Sequence, residues 1–182
     1  MKALINPQPP AEDEEKVAGI LRHIEENMGF VPDGLRMLGV SPVLLENMMG
    51  NVAYFMAHKE LSQDLLWFIR YLNSEEVGCD FCISFTGGML MNNLGKTADQ
   101  LQAAKDNPDN APLTDKEKTL LKIALASCDS PENVSAADLQ KARDAGFSER
   151  NIFDAVAAAV NNRAFTLLLR TFKVDELQGS FV

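Results

Sequence analysis

Between Gln63 and Asn73 the chain sets Leu65, Leu66, Trp67, Phe68 and Ile69 side by side. A helix built on that run has no polar side to give to water. It must lie at the centre of the fold or in a subunit interface, and the rest of the chain must cover it. The neighbouring segments read as helices as well. Glu12, Asp13, Glu14 and Glu15 open a helix reaching about Asn27, where their charges suit the positive end of its dipole. Val17, Ile20, Leu21 and Ile24 form its apolar stripe. After a turn at Gly29 and a short helix near Leu35–Leu38, Ser41-Pro42 supplies an N-cap and a first-turn proline. The helix that follows carries Leu44, Leu45, Met48, Met49, Val52, Phe55 and Met56, all expected in the core.

The second half repeats the pattern. The polar stretch from Asn92 to Pro112 holds one short amphipathic piece (Ala98, Leu101, Ala104) and reads as the boundary between halves. Thr114 and Glu117 make a capping box ahead of a helix reaching Ser127, with Cys128 at its end. Ser135 caps a further helix that ends at Gly146. Ser148 caps a long final one, whose face is Ile152, Val156, Ala159, Val160, Phe165, Leu168 and Leu169. Three prolines among residues 7–10 exclude a helix there. No strand-like alternation occurs anywhere, so the fold class is all-α. At 182 residues the chain is expected to form a single domain over 1–182, with an N-terminal half at 12–95 and a C-terminal half at 113–175.

Function is concentrated in Gly78-Cys79-Asp80-Phe81-Cys82, which holds two of the three cysteines. If a helix begins near Cys79, the sulfurs lie one turn apart on one face, close enough to form a disulfide. A helix N-terminus also favours a thiolate. Such a pair suits thiol–disulfide exchange or peroxide reduction. A zinc site would need a second pair of ligands, and the sequence has none at the right spacing. Two ordinary buried cysteines are the other reading. Gly87 and Gly88, set within the same helix, either allow close helix packing or leave room for a ligand. Cys128 reads as an inert, partly buried thiol.

Composition narrows the class. The net charge of −9 would repel nucleic acid and anionic membranes. No stretch nears 18 consecutive apolar residues, so no membrane span is expected. The first residues lack the apolar core of a signal peptide, and three cysteines do not make a secreted disulfide scaffold. Cytoplasmic localisation is the expectation.

Several pieces, taken in order, resemble the AhpD-like, or carboxymuconolactone decarboxylase, superfamily. They are Gly29-Phe30-Val31-Pro32, Ser41-Pro42-Val43-Leu44-Leu45, the apolar helix before Gly78-Cys79-Asp80-Phe81-Cys82, then Leu113-Thr114-Asp115-Lys116-Glu117-Lys118 and Ala145-Gly146-Phe147-Ser148-Glu149. They span roughly residues 25–175. The resemblance implies an AhpD-like bundle of helical hairpins, assembled as a homo-oligomer (a trimer or hexamer, or a dimer). It also implies a redox-active cysteine pair with Cys82 attacking and Cys79 resolving, whereas helix electrostatics alone favour Cys79 as the thiolate. The cysteine pair points to the peroxidase-like branch, and nothing here matches the His and Arg cluster a decarboxylase would need. The implied partners are a hydroperoxide or disulfide substrate and a protein or small-thiol reductant, with neither cofactor nor metal.

Two family features are missing. Peroxidase-like members carry a histidine four residues after the second cysteine, where this chain has Thr86. They carry a glutamate twelve residues before the first, where an ungapped count gives Trp67 and a gapped one Gln63 or Asp64. Thr86 can donate a hydrogen bond to a sulfur but is no base near pH 7. Glu75, Glu76 and His58 are candidates to replace the relay, although Glu75 and Glu76 also read as solvated linker carboxylates. A carboxylate near the sulfurs would raise a thiol pKa. His23 reads as a surface residue. The competing function is a non-redox helical oligomer that binds a small molecule or protein partner, its cysteines structural.

Overall fold

The computed structural model describes residues 3–174. Among them there are nine α-helices and no strand. The chain forms two compact units, one of residues 3–57 and 168–174 and the other His58–Leu167.

The first unit holds α1 (Glu14–Met28), α2 (Asp33–Leu38) and α3 (Pro42–Met56). An extended N-terminal segment joins it through Leu4 N–H to Phe172 O at 2.8 Å. Lys16 pairs with Glu46 at 2.9 Å, tying α1 to α3. Val17 and Ile24 are buried on α1, while Ile20 and Leu21 are half-buried, so its stripe is narrower than expected. On α3 only Leu45 and Phe55 of the expected apolar set are buried. Leu44, Val52 and Met56 are exposed, and Met48 and Met49 half-buried. That core assignment is corrected for a geometric reason: α3 is apolar on more than one side, and a helix can turn only one side to its own unit.

The second unit is built on α4 (Gln63–Val77), where ten of fifteen residues are buried. It packs chiefly against α5 (Asp80–Gly88) and α7 (Asp115–Asp129), with α6 (Ala98–Asp106) and α8 (Ala136–Asp144) outside them. The central position expected from its composition is the one α4 occupies. Its end differs from the expected one: residues 74–77 continue the helix instead of linking it onward. The Ser74 hydroxyl donates to Arg70 O at 2.7 Å within the helix, so the polar residues there do not break it. Gly78, at φ 70°, then reverses the chain, its N–H bonding Ser74 O and Glu75 O.

Capping decides the other starts. Thr114 with Glu117, and Ser135 with Asp138, form capping boxes at α7 and α8. Ser148 Oγ accepts Asn151 N–H at the start of α9 (Glu149–Thr171). Ile152, Ala155, Ala158, Ala159 and Leu169 of α9 are buried. Val160 and Leu168 are exposed, which corrects the face expected for it. At 23 residues α9 is long and apolar enough to cross a membrane by length and composition alone, a test that a core helix passes too. Its Asn162 is taken up inside the second unit: Asn73 Nδ2 donates to Ala159 O at 3.0 Å and to Asn162 Oδ1 at 3.1 Å.

Candidate active site

The reversal at Gly78 brings the cysteines to the start of α5. Cys79 is the N-cap of that helix, in extended backbone, and Cys82 lies in its first turn. Cys79 N–H bonds back to Ser74 O at 3.2 Å, so the last turn of α4 fixes where the cap sits. The two sulfurs are joined as a disulfide across a Cα–Cα distance of 5.2 Å. Cys79 Sγ also accepts the Cys82 N–H at 3.3 Å, the bond an N-cap side chain makes to the third residue of a helix. A Cys79 thiolate formed on reduction would keep that donor and the positive end of the α5 dipole. Both residues are buried: Cys79 has no exposed surface and Cys82 retains 5%. Cys82 is thus the slightly less buried residue of the pair.

α4 and α5 share an aromatic cluster. Phe81 and Phe85 stack with ring centres 6.1 Å apart, and Trp67 meets Phe85 edge-on at 6.1 Å. Arg70 lies over the Trp67 ring at 4.8 Å, and burial lowers its pKa to about 10. Trp67 thus fills, as packing, the ungapped position of the expected glutamate. Of the gapped alternatives, Asp64 is paired with Lys96 at 3.0 Å and Gln63 is half-buried at the start of α4.

Thr86 is buried one turn after Cys82, but its hydroxyl donates to Cys82 O at 2.7 Å instead of to a sulfur. A β-hydroxyl inside a helix reaches the carbonyl four residues back more readily than a side chain on the preceding turn. Glu75 is no solvated linker residue. One of its carboxylate oxygens accepts the Tyr71 hydroxyl at 2.7 Å and the other accepts Lys105 Nζ at 2.7 Å, bracing α4 to α6. Burial, then the bond to Glu75, pushes the Tyr71 hydroxyl pKa far up, and the same carboxylate raises that of Lys105. Glu76 is exposed.

His58 is engaged away from the cysteines. Its Nε2 bonds Asp154 Oδ2 at 3.2 Å, while Nδ1 accepts the Leu61 N–H at 2.9 Å and the Glu60 N–H at 3.2 Å. It pins the turn before α4. His23 is exposed on α1. Cys128 is partly buried at the end of α7; burial raises its thiol pKa, with nearby Arg163 offsetting part of the rise. Of the two glycines in α5, Gly87 faces Tyr71 and Leu101: a Cβ there would lie 3.4 Å from Leu101 Cδ2 and 3.6 Å from Tyr71. Gly88 meets only Asn92 Nδ2, at 3.8 Å.

Sequence reasoning missed the cluster of buried Asn73 and Ser74 with half-buried Asn162, and the Tyr71–Glu75–Lys105 brace. The signal available was polar residues at inward helical positions beside an otherwise apolar run, Asn73 and Ser74 on α4 and Asn162 on α9.

No protein-family model matches the sequence, and no curated protein sequence matches it. Solved structures do match. An uncharacterised peroxidase-related protein from Silicibacter sp. TM1040 superimposes with a TM-score of 0.82 at 17% identity, over 94% of this chain and 90% of that one. An uncharacterised peroxidase-related protein from Ralstonia eutropha JMP134, described as an alkylhydroperoxidase AhpD core, gives 0.81 at 19% identity, over 100% and 95%. The debrominase Bmp8, in a complex of its cysteine-to-alanine variant with 2,3,4-tribromopyrrole, gives 0.69 at 20% identity, over 93% and 92%. The first two match over most of both chains, and this chain has the AhpD-like fold.

Proposed function

We propose that the protein is a thiol-dependent oxidoreductase that cycles Cys79 and Cys82 between dithiol and disulfide. The observation that carries this reading is the disulfide closed across the N-terminus of α5, with Cys79 as cap and Cys82 the less buried residue of the two. In the reductive half, a small or protein thiol attacks Cys82 Sγ and the Cys79 thiolate leaves into the N–H bond of the cap; a second thiolate then releases Cys82 as a mixed disulfide resolves. In the oxidative half, Cys82 attacks a hydroperoxide. The alcohol leaves with a proton, Cys79 displaces water from the resulting sulfenic acid, and the two thiols have supplied both electrons. A disulfide substrate takes the same two electrons by exchange. The cysteine pair itself is the redox group, with no further cofactor. Cytoplasmic residence and assembly as a homo-oligomer belong to the same proposal.

With Thr86 and Glu75 bonded elsewhere, the proton for the leaving alkoxide comes from solvent or substrate. Peroxide turnover is accordingly slow relative to disulfide exchange. The debrominase among the matching folds makes a halogenated aromatic a third oxidant to assay. The second reading, a non-redox oligomer that binds a small molecule or partner with a structural cysteine pair, is favoured by the burial of both sulfurs.

A redox titration by thiol trapping against glutathione separates the two. A reversible two-electron couple between roughly −300 and −120 mV supports the enzyme. A pair that stays oxidised or fails to re-form supports the structural reading. Cys82→Ser is expected to abolish turnover and Cys128→Ser to leave it unchanged; equal loss in both would refute the site.

A further inference from the structure

Cys79 belongs to two helices at once. Its backbone closes α4: the Cys79 N–H bonds Ser74 O at 3.2 Å and the Gly78 N–H bonds Glu75 O at 3.1 Å. With Gly78 left-handed, these are the paired bonds of a Schellman motif. Its side chain opens α5, where Sγ accepts the Cys82 N–H at 3.3 Å. Only Gly78 and Cys79 lie between the two helices, so whatever fixes the last turn of α4 also fixes the cap sulfur.

That end of α4 is held from α9 by polar groups. Asn73 is 1% exposed, and its Nδ2 donates to two acceptors on α9, Ala159 O at 3.0 Å and Asn162 Oδ1 at 3.1 Å. The Ser74 hydroxyl, bonded to Arg70 O, lies 3.5 Å from the same Asn162 oxygen. The surroundings are apolar: Phe68, Ile69 and Leu72 of α4 are buried, as are Ala155, Ala158 and Ala159 of α9. Hydrogen bonds inside a protein replace bonds to water, so these amides stabilise the fold no more than apolar side chains of their size would. What they add is direction. Apolar contacts tolerate one helix sliding or turning on another, whereas two bonds from one nitrogen admit a single register, as a buried asparagine does in a coiled coil.

We propose that Asn73 and Asn162 are positioning residues for the thiol pair, holding Cys79 at the cap of α5 and so biasing the pair toward the disulfide. The inference rests on the redox reading of Cys79 and Cys82 and adds to it two residues outside the pair. The bias follows from preorganisation. Helix ends fray, and a frayed last turn of α4 would release the Ser74 carbonyl and with it the Cys79 N–H. The clamp from α9 opposes that opening. It keeps the Cα atoms of the pair at 5.2 Å, inside the range a disulfide requires, so the two thiols stay within bonding reach.

The test is the dithiol–disulfide equilibrium of the intact chain against dithiothreitol, read by thiol trapping. Reduction opens the Cys79–Cys82 bond to two thiols, while dithiothreitol gives up two electrons and two protons and closes into its cyclic disulfide. Asn73→Leu removes both bonds to α9 at similar volume and should shift the equilibrium about tenfold toward the dithiol. Asn162→Ala, at a half-buried position that tolerates truncation, should shift it the same way by about threefold, and it carries the test if circular dichroism shows Asn73→Leu unfolded. Asn162→Asp keeps an acceptor for the Asn73 amide and should stay within about twofold of the wild type. Thr166→Val is the control, since that hydroxyl is buried on the same helix but bonds Asn162 O within α9, at 2.8 Å; the equilibrium should not move. In the oxidised protein, hydrogen exchange at the Cys79 and Cys82 amides should quicken in Asn73→Leu and Asn162→Ala and not in Thr166→Val. An equilibrium unmoved in the folded asparagine variants, or moved as far by Thr166→Val, would overturn the proposal and leave the cluster as support for the fold. Dithiothreitol reduces a structural disulfide as well as a catalytic one, so this result stands apart from the enzyme reading. A wild-type pair that glutathione fails to cycle would refute that reading, with the dithiothreitol shift still deciding the positioning role.

Discussion

A hydroxyl buried one turn beyond Cys82 needs an acceptor, and for Thr86 the carbonyl of Cys82 supplies it at 2.7 Å. That choice has a measurable consequence. Thr86 is 3% exposed, and an imidazole in its place must push against packed neighbours. Thr86→His is expected to lower stability by about 1–3 kcal/mol in urea unfolding, the usual cost of overpacking. It should not raise the peroxidase rate, because Trp67 is packed against Phe85 where a partner carboxylate would have to stand. A rate increase in this variant would show that histidine alone restores the relay. Cys128 offers a second check. Burial raises its thiol pKa above the ordinary value of 9.0, so its alkylation by iodoacetamide should be slow at pH 7 and still be climbing above pH 9.

At the scale of the element, α5 carries two glycines whose environments differ. Gly88 has helical φ of −59°, and a Cβ there meets nothing closer than 3.8 Å. Gly88→Ala should therefore stabilise the protein by about 0.5–1 kcal/mol through the unfolded chain. Gly78, at φ 70°, is the opposite case, and Gly78→Ala should cost about 1–2 kcal/mol. Thermal unfolding distinguishes them by the sign of the change in Tm. If Gly88→Ala stabilises yet abolishes turnover, the glycine is there to leave space for substrate. The same helix shows what could be read from sequence. The C-x-x-C spacing and a helix start near Cys79 were visible, because both follow from local chain geometry. The direction of the Thr86 hydroxyl and the engagement of Glu75 were not. They depend on Tyr71, Lys105 and the backbone of the helix, and no local pattern places α6 beside the end of α4. For the same reason the caps at Thr114, Ser135 and Ser148 were legible, while the exposed sides of α3 and α9 were not: a stripe shows that a helix is amphipathic without saying which neighbour covers it.

At the scale of the molecule, the all-α class follows from helical spacing along the whole chain, and two of its helices begin at carboxylates that tie their caps to pH. Glu117 and Asp138 close the capping boxes of α7 and α8. Burial opposes ionisation of Glu117, but its bonds from Ser62 and Thr114 prevail and lower its pKa. Bonds from Ser135, then Lys141, lower that of Asp138 to about 2. Both groups are thus more acidic folded than unfolded. The stability they contribute is fully present above the ordinary carboxylate range, and it declines as pH falls through that range. For Asp138 it is gone once pH passes below about 2. The two sites are not equivalent, because Glu117 also receives Ser62, the N-cap of α4. Its protonation removes a strong acceptor from the starts of two helices at once. Hydrogen exchange between pH 5 and pH 2, corrected for intrinsic rates, should therefore show loss of protection at the first turns of α4 and α7 together, and separately at α8. Glu117→Gln should lower protection at α4 and α7 at pH 5 and flatten their pH dependence without changing that of α8. If α8 responds to Glu117→Gln as strongly as α7 does, the acid transition is global, and the capping carboxylates do not control it.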